Sequence, residues 1–398
     1  MSKRKSGRMS AAAEAKKIKE QSPLWFDANW TWSEPGSKKV ERLVNFKADA
    51  GALSPVIQLT GSGIPGSKKI AAFDIDSTVI KTHSGRRFAI GSNDWQFWED
   101  EVPDKLKEAH NDGYKIVFFT NQAGIEKNHV RPKEICTKCE DIIVALGFPV
   151  QVFMCTGQNQ FRKPSVLVFD HMEKNCNDGI AVDRKKSYYV GDAAGRDKDW
   201  APGKTRDFSC SDRMFAANCG LTFYTPEEYF LGEAAVPFQW RSTDPVVELK
   251  MAEGKAPEKY HSLEQEMIVM VGFPASGKST FSRNYLVPHG YQVVNRDTLG
   301  TQSKCKKSCD ESLKNGKSVI IDNTNPAKHV RQEYINIAKK HGVPIRCFWF
   351  QTSLPLAHHM NLYRQTQTNG DVRRVPDVGY NVFKKHFEEP DLEEGFSE

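Results

Sequence analysis

Short apolar runs alternate with amphipathic stretches along two long sections of the chain. Ile70-Ala71-Ala72-Phe73, Lys115-Ile116-Val117-Phe118-Phe119, Val150-Gln151-Val152-Phe153-Met154 and Ser187-Tyr188-Tyr189-Val190 have the length and composition of buried strands. Between the first two, the pattern predicts a helix over Val102 to Asn111, stopped by Gly113. The second section opens at Glu266-Met267-Ile268-Val269-Met270-Val271. It continues with Tyr291-Gln292-Val293-Val294, Ser318-Val319-Ile320-Ile321 and Arg346-Cys347-Phe348-Trp349-Phe350. Strands alternating with helices require a parallel sheet covered on both faces. The fold class is therefore α/β, with two doubly wound parallel-sheet domains and no internal repeat. Residues 233–262 lose the rhythm and hold Pro237, Pro245, Gly254 and Pro257, which reads as a linker able to wrap over a neighbour. The expected division is a polar tail over 1–22, a first domain over 23–240, a linker over 241–262 and a second domain over 263–398.

Composition narrows this picture. The chain has 398 residues, 39% of them hydrophobic and 11% aromatic, enough for two cores. No uncharged apolar run approaches the ~20 residues of a membrane helix, and no secretory leader is read at the N-terminus. The net charge of +6 is concentrated in residues 1–21. There Lys3, Arg4, Lys5, Arg8, Lys16, Lys17 and Lys19 face only Glu14 and Glu20, so the rest of the chain is near neutral. The two basic clusters resemble a bipartite nuclear-import signal, and a loose electrostatic arm is the competing reading. Nine cysteines without a leader fit reduced thiols. Cys136-Thr137-Lys138-Cys139 has no second pair at zinc spacing, so a structural zinc is not expected.

The first section carries one set of chemical groups, each at a strand end. Asp74-Ile75-Asp76-Ser77-Thr78 matches the DxDxT loop of aspartate-based phosphatases. Spacing of two on extended chain aims Asp74 and Asp76 to one side. One carboxylate can attack phosphorus while the other handles a proton. Thr120 can donate to a phosphate oxygen, Lys163 can be the fixed cation, and Asp192 offers Mg²⁺ a hard oxygen ligand. Asp74 and Asp76 are further candidate ligands of that ion. The competing structural readings are a helix cap for Thr120, a surface position for Lys163 and a turn for Asp192. Asp74 is expected to raise the pKa of its neighbour Asp76 and so keep a proton on it.

The second section carries Gly272-Phe273-Pro274-Ala275-Ser276-Gly277-Lys278-Ser279, a GxxxxGK[ST] phosphate loop between strand and helix. Gly272 and Gly277 shape the loop, Lys278 reaches the β/γ-phosphates of ATP, Ser279 binds Mg²⁺, and Thr280 opens the helix beside them. Asp297 follows the next strand and can take a proton from an attacking hydroxyl, or simply cap the following helix. Asp322 follows a third strand and can order Mg²⁺ through water.

The strings Tyr189-Val190-Gly191-Asp192-Ala193-Ala194-Gly195-Arg196, Trp200-Ala201-Pro202-Gly203 and Asp207-Phe208-Ser209-Cys210-Ser211-Asp212-Arg213 resemble those of the animal and fungal polynucleotide kinase 3′-phosphatases. These enzymes join a haloacid-dehalogenase-like phosphatase to a P-loop kinase. Asn295 to Gly300 and Val319 to Pro326 resemble their kinase half, so the likeness runs from roughly residue 25 to 398. It implies Asp74 as nucleophile, Asp76 as general acid then base, Asp192 as metal ligand, Asp297 as base for a 5′-hydroxyl and Arg364 as a lid arginine on ATP. An exposed helix arginine is the alternative for Arg364. The resemblance also implies DNA strand ends as substrate, with RNA ends as the alternative, repair of strand breaks, a nuclear setting, and ATP and Mg²⁺ as cofactors. Two departures stand out. Ser77 occupies a position where these enzymes usually have glycine. The second metal-binding acid is open among Asp197, Asp207 and Asp212, with the weight on the last two. Vertebrate members add a forkhead-associated domain that binds phosphopeptides; only a short tail precedes the phosphatase motifs here. Repair proteins are candidate partners without that means of recruitment.

Overall fold

The computed structural model describes residues 41–42, 56–59, 64–243, 247, 248, 250, 259–368 and 370–398. The basic tail and most of the expected linker lie outside the described residues. The chain separates into two units that divide between Arg241 and Ser242.

In the first unit the strands are Glu41–Arg42 (β1), Val56–Leu59 (β2), Ile70–Phe73 (β3), Ile80–Lys81 (β4), Gln96–Phe97 (β5), Lys115–Asn121 (β6), Gln151–Cys155 (β7), Tyr188–Val190 (β8) and Thr222–Tyr224 (β9). Seven of them form one sheet in the order β1-β2-β7-β6-β3-β8-β9, while β4 and β5 make a separate hairpin. From β7 to β9 every pairing is parallel; β1 and β2 add on antiparallel at the edge. Alternation along the strands divides the core in two. Ala71, Phe73, Ile116 and Phe118 join the helices Val102–Asn111 and Pro132–Leu146 on one face. Ile70, Ala72, Val117 and Phe119 join Leu167–Asn175 and Ser211–Cys219 on the other. Helix Val102–Asn111 begins with a proline in its first turn and buries Val102, Leu106 and Ala109 at helical spacing. Truncating Leu106 to alanine would cost about 2–5 kcal/mol in such a packed site.

The second unit has a four-stranded sheet of Met267–Val271 (β10), Gln292–Val294 (β11), Val319–Ile321 (β12) and Ile345–Trp349 (β13) in the order β11-β12-β10-β13, all parallel. Met267, Val269 and Val271 face one core and Ile268 and Met270 the other. Buried Arg331 donates to Glu394 at 2.9 Å and to the carbonyls of Pro326 and Glu388, tying helix Lys328–His341 to the chain's last segment.

In both sheets the strand order reverses beside the strand that carries the main motif, β3 in one and β10 in the other. Crevices at the carboxyl ends of strands at such reversals are where doubly wound folds bind ligands. The nine cysteines are free thiols, and Cys136 and Cys139 are buried in the first core.

Candidate active sites

Asp74 leaves the end of β3 with its N–H bonded to the carbonyl of Val190, at the end of neighbouring β8, at 2.9 Å. That bond sets Asp74 beside Asp192. Thr78, buried at the far end of the same motif, accepts the N–H of Asp192 at 3.1 Å. The DxDxT string therefore builds the site twice, once by its acids and once by its threonine. Ser77 sits at φ +64°, in the left-handed region that glycine enters freely and other residues enter at a cost of about 1 kcal/mol. Glycine suits such a position for that reason, and Ser77 adopts it here.

Lys163 is the hub. Its ammonium lies 2.7 Å from Asp74 Oδ1 and 2.7 Å from Asp212 Oδ1, and it donates to the Phe119 carbonyl and the Tyr189 hydroxyl. Only 3% of this side chain is exposed, so it is no surface lysine. Asp212, in the first turn of helix Ser211–Cys219, accepts the Ala193 N–H at 3.1 Å. Oxygens of Asp74, Asp192 and Asp212 lie within 4.8 Å of one another. Three carboxylates around one ammonium leave excess negative charge in a buried place. Burial, then Asp74 and Asp212, push Asp192 well above the carboxylate range. Burial likewise lifts Asp74 to about 7 against the pull of Lys163, with Asp212 adding to the rise. Hard oxygen donors in excess over their counter-charge fit a Mg²⁺ ion.

Of the three acids left open by the sequence, geometry brings Asp212 to Asp74 and Asp192. Asp207 bonds Arg196 at 2.9 Å, Asp197 pairs with Arg241 at 3.0 Å, and Asp212 joins the cluster. The carboxylate of Asp76, also expected as a ligand, lies outside this cluster. Asp76 Oδ1 lies 2.9 Å from Lys138, and Oδ2 accepts from Gln122 at 2.7 Å. Its expected proton is not supported either. Burial would raise Asp76, but Lys138 and Gln122 outweigh that and hold it below the usual carboxylate range. The side chain is 51% exposed, so water screens part of this effect. Thr120 lies one residue before the end of β6, buried, and its hydroxyl accepts from Gln122 at 2.8 Å instead of capping a helix.

In the second unit the phosphate loop follows β10. Gly277 at φ +98° and Ala275 at φ +57° supply its left-handed turns. Lys278 curls into the loop, donating to the carbonyls of Gly272 at 3.0 Å and Phe273 at 2.6 Å and to Ser276 Oγ at 3.2 Å. Burial depresses it to about 8; Asp322 and Asp297 oppose the shift and Arg364 adds to it. Ser279 and Thr280 are exposed at the loop's mouth. Asp322, at the end of β12, is 5% exposed, and its Oδ1 is buried without a hydrogen-bond partner. An orphaned buried carboxylate oxygen whose partner side is Ser279 fits a hydrated Mg²⁺ there. Asp297 is exposed in the first turn of Arg296–Leu299, whose cap is Asn295. Arg364 is half-buried on helix Leu354–Gln367; it donates to Asn361 at 3.2 Å and keeps a buried Nε without partner.

Residues 69–230 match the family model of the polynucleotide kinase 3 phosphatase, and residues 267–390 match an AAA domain. A bifunctional polynucleotide phosphatase/kinase of Schizosaccharomyces pombe is 40% identical over 332 residues, 83% of this chain and 78% of that protein. The chain belongs to the bifunctional polynucleotide phosphatase/kinase family. Its first unit is the phosphatase domain and its second the kinase domain. A polynucleotide 3′-phosphatase of Arabidopsis thaliana is 34% identical over 53% of this chain and 31% of its own. One of Saccharomyces cerevisiae is 26% identical over 41% of this chain and 87% of its own. No helix among the described residues is long and apolar enough to cross a membrane.

Sequence reasoning missed Lys138, Gln122 and Tyr189 as neighbours of the phosphatase acids. Gln122 had a readable signal, lying two residues after Thr120 at a strand end. Lys138 had none, being one lysine inside a helix. The exposed pair Phe88 and Phe208, at 76% and 79%, was missed as well. The Arg87 guanidinium lies 5.5 Å and 5.4 Å from their rings. Asp94 braces this loop by accepting from Ser84 N, Ser84 Oγ and Ile90 N.

Proposed function

We propose that the chain prepares broken DNA ends for ligation, removing a 3′-phosphate at Asp74 and phosphorylating a 5′-hydroxyl at Asp297. What carries the reading is one chain holding two sites of opposite phosphate chemistry: Asp74 and Asp212 on Lys163, and Lys278 in a phosphate loop. In the phosphatase, Asp74 attacks phosphorus, its bond to phosphorus forming as the bond to the 3′ oxygen breaks. Lys163 and Thr120 steady the phosphoryl oxygens. Asp76, ionised at rest beside Lys138, takes up a proton from solvent before the step, gives it to the departing oxygen, then takes one from the water that frees Asp74. Asp74, Asp192 and Asp212 would hold Mg²⁺, which supplies positive charge against the phosphoryl oxygens. In the kinase, Lys278 meets the ATP phosphates, Ser279 and Asp322 would hold Mg²⁺, Arg364 closes on the phosphates and Asp297 draws the proton from the attacking hydroxyl.

Phe88, Arg87 and Phe208 support a polynucleotide over a small phosphate ester, because exposed rings flanking a cation suit stacking of unpaired bases. The basic clusters near the N-terminus support nuclear import, which a fluorescent fusion with and without residues 1–21 tests.

The deciding experiment offers a nicked duplex bearing 5′-hydroxyl and 3′-phosphate, with ATP and Mg²⁺, followed by ligase. Wild type should yield ligated product. Asp74→Ala should keep 5′-phosphorylation alone, and Lys278→Ala 3′-dephosphorylation alone. If either substitution in a folded protein removed both activities, the two-site reading would be wrong. Preferential repair of an RNA nick would overturn the DNA half of the proposal.

A further inference from the structure

Where the first unit ends, the chain turns back over the loop that carries Asp192 and Asp212. The Gln239 N–H donates to the Gly195 carbonyl at 2.9 Å. Arg241 donates to the carbonyls of Asp207 at 3.0 Å and Arg196 at 2.7 Å and to Asp197 at 3.0 Å. It does so at φ +51°, a left-handed backbone that arginine rarely adopts. Gly195, at φ +80°, has no room for a side chain: a Cβ there would stand 2.3 Å from the Gln239 oxygen. Phe238 lies 3.8 Å from the guanidinium of Arg213, with Phe223 at 4.5 Å. Arg213 follows Asp212 directly and donates to the Ala194 carbonyl at 2.8 Å. The next residue back, Ala193, exchanges hydrogen bonds with Asp212: its N–H donates to the carboxylate, and its carbonyl accepts the Asp212 N–H, each at 3.1 Å.

We propose that Phe238 and Arg241 are positioning residues for the phosphatase metal site. Phe238 orders Arg213 and Arg241 clamps the carbonyls of the loop, so that Asp212 is held against Asp192 and Asp74. The segment that leads toward the kinase unit is thereby part of the phosphatase scaffold. The proposal rests on the phosphatase reading above.

The test uses the full chain as wild type, Arg241→Ala, Phe238→Ala, Phe238→Tyr and Asp192→Asn. Mn²⁺ binding to chelator-stripped, nucleotide-free protein is followed by electron paramagnetic resonance. The Mg²⁺ dependence of 3′-phosphatase turnover is measured beside it, and 5′-kinase turnover reports the fold. Arg241→Ala and Phe238→Ala should weaken Mn²⁺ binding and raise the half-saturating Mg²⁺ by about 10-fold, as loss of outer supports does at other metal sites. Saturating Mg²⁺ should restore turnover, Phe238→Tyr should behave as wild type, and kinase turnover should not move. Unchanged Mn²⁺ affinity in both alanine variants would overturn the proposal, as would a phosphatase loss equal at every Mg²⁺ concentration. If Asp192→Asn binds Mn²⁺ as tightly as wild type, the metal-site reading beneath it fails instead.

Discussion

The side chain of Asn295 accepts the backbone N–H of Asp297 at 2.7 Å and so caps the helix in which Asp297 lies. Asp297 is therefore not the residue that caps its helix. Asp297→Asn should leave stability within about 0.5 kcal/mol of wild type, as surface changes usually do. It should leave ATP affinity unchanged and lower 5′-kinase turnover by roughly 10²-fold or more. Asn295→Ala should show the converse emphasis, costing about 1 kcal/mol of stability through the lost cap. Thermal melts beside single-turnover phosphorylation separate the two; near-normal phosphorylation by Asp297→Asn would remove Asp297 from the chemistry.

The phosphatase acids predict a pH-dependent stability. Asp74 is lifted by burial to about 7 from 3.8. Between those values the folded protein keeps a proton the unfolded chain has released. The stability from this group is present below about pH 4 and is lost as pH rises through about 7. In chelator, the melting temperature of wild type should fall between about pH 5 and about pH 8 more steeply than that of Asp74→Asn, whose side chain does not titrate. Millimolar Mg²⁺ should shrink the difference by binding the ionised carboxylate. Parallel slopes in chelator would show that Asp74 is ionised throughout.

Much of this was legible in the sequence because strand ends leave short-range signals. The apolar runs at Ile70–Phe73 and Met267–Val271 became β3 and β10, and the motifs sit in the turns that follow them. The antiparallel pair β1 and β2, the hairpin strands β4 and β5 and the edge strand β9 were not legible, because pairing across the sheet decides them more than local pattern does. The same physics governs the acids. Asp74 and Asp76 were found by spacing, whereas the choice of Asp212 over Asp207 depended on Arg196 taking Asp207. Such pairing within an irregular loop leaves no periodic trace.

Lys278 predicts proton uptake by the kinase. Burial depresses this ammonium to about 8, and the nearby Arg364 adds to the effect. A triphosphate brings negative charge and should raise the pKa again. At about pH 8.5, ATP binding should therefore take up a fraction of a proton, and at about pH 7 almost none. Calorimetric heats in two buffers of different ionisation enthalpy measure this. Lys278→Ala should bind ATP weakly with no buffer dependence. Equal heats in both buffers for wild type at the higher pH would show that Lys278 is fully protonated before ATP arrives.

Lys138 gives Asp76 a resting state that the DxDxT spacing did not foretell: an ionised carboxylate held at 2.9 Å, with Gln122 at 2.7 Å on its other oxygen. A 3′ oxygen of a sugar is a poor leaving group and needs a proton as its bond to phosphorus breaks, while nitrophenolate does not. Asp76→Asn should thus lose turnover on 3′-phosphate ends yet still transfer phosphate from p-nitrophenyl phosphate to Asp74. Without Asp76 to activate water the phosphoenzyme should persist, giving a burst of nitrophenol and then slow turnover. Lys138→Met should free Asp76 from the charge that holds its pKa down. Protonated Asp76 would then survive to higher pH, and the alkaline decline of 3′-phosphatase turnover should move upward while the nitrophenol burst stays the same. Absence of a burst in Asp76→Asn, with equal losses on both substrates, would take the acid and base roles away from Asp76. An alkaline decline unmoved in Lys138→Met would take away the part assigned to the Lys138 contact.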